Sequence, residues 1–130
     1  MGKTALGDLQ YAIMRILWDR EEATVNDVHG ILLPDRGLAL TTVATMLRKM
    51  EVKGIVTHRT EGRQFVYRPT VTQSRVTRSM VRELVDRLFN GDPAALVTHL
   101  LEDREINPDE LKDLASELAV AEKRNKNENR

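Results

Sequence analysis

Residues 40–54 read Leu-Thr-Thr-Val-Ala-Thr-Met-Leu-Arg-Lys-Met-Glu-Val-Lys-Gly. Val43, Met46, Leu47 and Met50 recur at helical spacing. They predict a helix that starts at Leu40 or Thr41 and buries one stripe. The opposite face carries Thr41, Thr42, Thr45, Arg48 and Lys49. Lys53 followed by Gly54 is a stop signal. It sets a cation beside the negative helix end, then a residue that tolerates positive φ.

Downstream, Ile55 to Arg59 is β-branched and basic, and Gln64 to Arg68 contains Phe65, Val66 and Tyr67. Thr60, Glu61, Gly62 and Arg63 lie between them and read as the loop of a hairpin. Pro69 ends the second strand. Upstream, Leu6, Leu9, Ile13, Ile16 and Leu17 make the stripe of a helix ending near Asp19, with Trp18 over the core edge. Thr24 caps the next helix, Asp27 favours its positive end, and Val25, Val28, Ile31 and Leu32 are expected to face inward. Pro34 to Gly37 breaks that helix. The order is three helices and a hairpin, a winged helix-turn-helix arrangement expected to span residues 1–70.

The remainder reads as three helices over residues 71–122. Val76, Met80, Val81, Leu84, Val85 and Leu88 form the first apolar stripe. Asp92-Pro93 starts a helix containing Leu96, Val97, Leu100 and Leu101, and Asn107-Pro108 starts another with Leu111, Leu114 and Leu118. Alone, these helices hold too little apolar surface for a core. Helices of this kind borrow a partner from another chain. The expected pairing residues are Val81, Leu84, Val85, Leu88, Leu96, Leu100, Leu111 and Leu114. Residues 123–130 are Lys, Arg, Asn and Glu and are expected to be disordered. The fold class expected is therefore mainly α with a small β-hairpin wing, and a C-terminal three-helix dimerisation region.

Net charge is zero, but its distribution is uneven. Residues 41–70 carry six basic and two acidic residues, a net of +4; residues 92–122 carry two basic and nine acidic, a net of −7. That separation can hold one end of a molecule on a polyanion and keep the other away. A helix fits the major groove of B-DNA, and its threonines and cations can meet bases and phosphates. Thr41, Thr42, Thr45, Arg48 and Lys49 on the helix are the expected contacts to double-stranded DNA, with His58, Arg59 and Arg63 on the wing rim. Winged domains also serve as protein-protein adaptors, so fold alone does not decide between the two uses.

Catalysis is not expected. His29, His58 and His99 lie on different elements without ligand spacing. Ser74, Ser79 and Ser116 sit in helical stretches, Glu102-Asp103 lies in an acidic run, and no Gly-rich phosphate loop is present. The sequence has no cysteine, no run of 18 apolar residues and no leader-like segment at Met1–Leu6. These features give the expectation of a cytoplasmic protein with no cofactor, no metal and no membrane span.

The ordered set of motifs resembles the penicillinase-repressor family, the BlaI, MecI and CopY type regulators of bacteria, over residues 6–120. The carriers are Leu6-Gly7-Asp8-Leu9, Ile16-Leu17-Trp18, Thr24-Val25-Asn26-Asp27-Val28, the stretch Thr41 to Met50, Lys53-Gly54-Ile55-Val56, Phe65-Val66-Tyr67-Arg68-Pro69, and Leu88-Phe89-Asn90-Gly91-Asp92 with Ala95-Leu96-Val97. The resemblance implies a homodimer that represses transcription from a pseudo-palindromic operator. Some relatives carry Lys or Arg where this chain has Thr41 and Ala44, which implies a different base preference. The copper-responsive branch uses a cysteine-rich motif that is lacking here. The β-lactam branch is relieved by a regulatory protease at an Asn-Phe bond, whose matching position is His99-Leu100.

Overall fold

The structure is a computed structural model that describes residues 6–128. The leader reading falls mostly on residues 1–5, and those residues and 129–130 of the tail lie outside the described residues. Helix α1, Asp8–Arg20, begins where Gly7 is extended and the Gly7 carbonyl accepts the Tyr11 amide at 2.9 Å. Its Ile13, Met14, Ile16 and Leu17 are buried. Trp18 is partly buried, and its indole N–H donates to the Val71 carbonyl at 2.9 Å.

Helix α2, Val25–Arg36, opens with a reciprocal cap. Thr24 Oγ1 accepts the Asp27 amide at 3.1 Å, and Asp27 Oδ2 accepts the Thr24 amide at 3.1 Å. Pro34 is carried inside its end, and Gly37, at φ 59°, terminates it. Val28 and Leu32 are buried, whereas Ile31 is 43% exposed. The expectation of an inward Ile31 is therefore corrected. The three-residue step from Val28 carries it to the rim of the buried stripe, and Leu32 takes the inward place.

Helix α3, Leu40–Lys53, buries Val43, Leu47 and Met50 completely and ends at Gly54, φ 89°. The Gly54 amide donates to Met50 and Glu51 carbonyls, and the Ile55 amide to Met50, so the last turn is closed.

The sheet has one strand more than expected. Strand β1, Ala23–Thr24, joins β2, Val56–Glu61, and β3, Gln64–Pro69, in the antiparallel order β1-β3-β2. Ala23 pairs with Tyr67 and Thr24 with Val66. The hairpin is also tighter than the four-residue loop expected. Glu61 pairs with Gln64, leaving Gly62 and Arg63 as a two-residue turn. Gly62, at φ 62°, occupies its first central position, where this connection requires a positive φ.

Helices α1–α3 and the sheet enclose one core, with Ile13, Leu17, Val28, Val43, Leu47, Met50, Tyr67 and Val76 at its centre. Val76 belongs to helix α4, Gln73–Leu88. The chain divides into two units, Met1–Glu83 and Leu84–Arg130, rather than at residue 70. The reason is local: Val76 is fully buried in this core, Met80 packs on it, and Val71 holds Trp18.

The second unit contains the end of α4, helix α5, Pro93–Glu102, and helix α6, Pro108–Glu128. Asp92 Oδ1 accepts the Ala94 amide at 3.0 Å, and Asn107 Oδ1 accepts the Glu110 amide at 2.8 Å, so both helices start at side-chain caps. Helix α6 continues to Glu128, which corrects the expectation of disorder for residues 123–128. Lys, Arg and Glu are good helix formers, and the helix extends through them with residues 123–126 exposed. Val85 is buried in this unit, but Leu88, Leu114, Leu118 and Val120 are each more than half exposed.

Candidate nucleic-acid interface

The site is built on α3. Its inward stripe fixes the helix against the core, and the same register turns Thr41, Thr42, Thr45, Arg48 and Lys49 outward, where all five are exposed. Ala39 precedes the helix in an extended conformation and makes no side-chain cap. No side chain caps the front of α3, where the Thr42 amide donates to the Ala39 carbonyl at 3.1 Å. Val52 continues this face, four residues after Arg48, and is 91% exposed. Sequence reasoning passed over Val52; its register with Thr41, Thr45 and Arg48 was the available signal.

The wing residues divide. Arg63 stands on the exposed two-residue turn, and among the described residues neither it nor Arg48 forms an ion pair. Arg59 is exposed but engaged: its Nη2 lies 2.7 Å from Glu22 Oε1 and its Nη1 2.5 Å from Glu61 Oε2. The Glu61 hydrogen bond, then that of Glu22, raises the Arg59 pKa further above its usual value. His58 does not reach the rim. Its Nδ1 lies 2.7 and 2.8 Å from the two carboxylate oxygens of Glu51 on α3, and its ring stacks on Phe65 at 4.0 Å. It ties β2 to α3 instead of projecting from the hairpin. The sequence offered no signal for either partnership, because Glu22 is 37 residues from Arg59 and Glu51 belongs to another element.

Tyr67 underlies the junction of α3 and the wing. It is buried, and that burial raises its phenol pKa, with the Glu51 charge adding and Arg48 opposing. Above it lies an open groove of about 290 Å³ between the start of α2, α3 and β3, lined by Leu40, Ala44, Arg48, Arg63 and Phe65 among others.

The expected pairing residues also divide. Val81, Leu84, Leu88 and Leu114 are exposed, Leu96, Leu100 and Leu111 are half-buried, and Val85 is buried. His99 is exposed and sits within α5, 3.0 Å from Asp103 Oδ2. The His99-Leu100 bond is thus part of a hydrogen-bonded helix. Among the described residues there is no His, Asp and Glu cluster able to hold a metal, and no helix is long and apolar enough to cross a membrane.

Comparison with known proteins agrees with this geometry. The chain is 35% identical over 121 residues to the transcriptional regulator BlaI of Mycobacterium tuberculosis, covering 92% of this chain and 86% of that protein. It is 26% identical over 121 residues to the penicillinase repressor of Bacillus licheniformis, covering 93% and 94% respectively. The solution structure of the DNA-binding domain of the repressor BlaI superposes with a TM-score of 0.51 at 29% identity, over 56% of this chain and 89% of that one. A mutant MarR of E. coli, solved in complex with operator DNA, shares the fold at a TM-score of 0.51 and 14% identity, over 89% of this chain and 75% of that one. The sequence profile of the penicillinase repressor family matches residues 6–120. With that match spanning nearly all of both units, the chain belongs to the penicillinase repressor family.

Proposed function

We propose that this chain is a DNA-binding transcriptional repressor that acts as a homodimer. The observation that carries the reading is the α3 face: Thr41, Thr42, Thr45, Arg48 and Lys49 stand outward together on a helix anchored by fully buried Val43, Leu47 and Met50. Hydroxyls and cations on one exposed helix face suit base edges and phosphates. At 1.5 Å per residue the helix is about 20 Å long, enough to lie in a major groove. The free guanidinium of Arg63 supplies a phosphate contact from the wing. Arg59 and His58 contribute less than the sequence suggested, because both are satisfied within the protein.

Pairing is supported by the second unit. Leu84, Leu88, Leu114, Leu118 and Val120 are all exposed there. An apolar surface of this extent calls for a second copy. Two copies would place two α3 helices on half-sites separated by about 34–36 Å, one turn of DNA, or a multiple of it. Proteolytic relief at His99-Leu100 would require α5 to open first.

Duplex selection from a random pool, followed by salt titration of the selected sequence, tests the reading. Affinity should fall steeply as salt rises, since phosphate neutralisation releases counterions. No duplex binding at low salt would end the repressor reading in favour of a protein-binding adaptor. Leu84→Asp should give monomers by light scattering; a persistent dimer would move the interface elsewhere.

A further inference from the structure

We propose that the groove between α2, α3 and the wing binds a small aromatic carboxylate, and that this ligand competes with DNA. The inference rests on the DNA-reading function proposed above and adds a means of relieving it. The groove is about 290 Å³ and open to solvent at one side. That is close to the lower end of small-molecule sites, about 300 Å³. It therefore suits a compact ligand of one or two rings.

Its chemistry is divided in the way an amphipathic anion needs. Phe65 and Leu40 are each 42% exposed, and both line the groove over the buried ring of Tyr67. One face of Phe65 stacks on His58 at 4.0 Å, and its remaining exposed surface, with that of Leu40, is apolar area left open to the groove. Arg48 from α3 and Arg63 from the turn line the same groove, and neither is spent on a carboxylate of the protein. A flat apolar body would lie against Phe65 and Leu40, and its carboxylate would meet the two guanidiniums, which recognise planar anions bidentately. A phosphate of the DNA backbone would satisfy the cations but leave the apolar surface uncovered. This apolar requirement separates a free organic anion from DNA itself.

Occupancy has a direct consequence. Arg48 and Arg63 are two of the cations available to DNA, and the ligand would take both. No displacement of α3 is required, because the competition is for the same donors.

The test is a titration of the full chain with 2-naphthoate, followed by amide chemical shifts in NMR, beside titrations with inorganic phosphate and with neutral 2-naphthamide. Saturable shifts at Ala44, Gln64 and Phe65 with naphthoate, and much weaker responses to the two controls, are expected. Ala44→Leu should fill the groove, and Arg63→Gln should remove one cation while leaving the turn intact. Each should weaken naphthoate at least about tenfold, the scale of one charge-assisted hydrogen bond or its contact surface. Melting curves show whether either variant remains folded, and Arg63→Gln serves if Ala44→Leu does not. At fixed ionic strength naphthoate should also release a bound labelled duplex.

The absence of saturable shifts, or an equal response to inorganic phosphate, overturns the proposal. Ligand binding without duplex release overturns the competition. The NMR titration contains no DNA. A protein that binds naphthoate but never binds a duplex would therefore refute the repressor reading separately.

Discussion

Replacing Glu22 and Glu61 together by glutamine should make the protein bind DNA more tightly. Both carboxylates hold the guanidinium of Arg59, at 2.7 and 2.5 Å. The three side chains carry one positive and two negative charges, so this corner of the wing is net negative. The double substitution makes it net positive and frees a cation beside the turn. Each phosphate newly neutralised steepens the dependence of log affinity on log salt by about 0.9. With one such contact in each of two copies the slope should steepen by about 1.8. Between about 50 and 200 mM salt, that is an extra loss of about twelvefold. The gain in affinity should accordingly be greatest at low salt. Fluorescence anisotropy of a labelled duplex, measured across that range for both proteins, reads the slope directly. Exposed ion pairs add little to folding stability, so the melting temperature should hardly move. If the slope is unchanged, or affinity falls in a variant that still melts normally, Arg59 does not approach the backbone. The assignment of the wing to phosphate contact would then rest on Arg63 alone.

Other substitutions probe the frame that holds α3. Leu47→Ala removes a fully buried side chain beneath the reading face and should cost about 3 kcal/mol, measured by urea unfolding; a loss below about 1 would mean that the core closes over the gap. Trp18→Phe deletes the N–H that satisfies the Val71 carbonyl and should cost about 1–2 kcal/mol, whereas no change in the unfolding midpoint would show that water replaces it. Thr24→Ala removes the α2 cap and should cost about 1 kcal/mol at neutral pH. The Asp27 carboxyl is held below its ordinary value of 3.8 by the Thr24 amide and then the Thr24 hydroxyl. Its contribution to stability is therefore present above that value and lost as pH falls through the lower folded one. In Asp27→Asn the acid limb of the stability curve should be shallower below about pH 4, and an identical limb would refute the link.

Much of the fold was legible because periodicity reports burial. Val43, Leu47 and Met50 announced α3 and thereby exposed Thr41, Thr45 and Arg48 on its other side. Turn chemistry located the hairpin but overestimated its loop, since Gly62 alone supplies the positive φ that lets Glu61 and Gln64 pair. Strand β1 was not legible. Two residues carry no period, and Ala23 and Thr24 become a strand through pairing with Tyr67 and Val66. The same limit applied to the site. Residue type marked Arg59 and His58 as wing contacts to DNA, but their partners Glu22 and Glu51 meet them through tertiary structure. A helical pattern likewise assigned Val76 to the pairing region, although its side chain completes the core of the first unit.

The short strand β1 also sets an order on the making of the protein. Chains emerge from synthesis N-terminus first, so α1, β1 and α2 precede β3. The third strand of the sheet forms when Tyr67 and Val66 arrive beside Ala23 and Thr24. Trp18 then waits for Val71, 53 residues along the chain. These long closures make assembly of the domain a late event, and slower than joining neighbouring helices. An unfinished chain therefore carries the whole of α3 before the framework that aims it is complete. Until the wing is closed and the start of α4 has sealed the core, α3 has no fixed orientation to present.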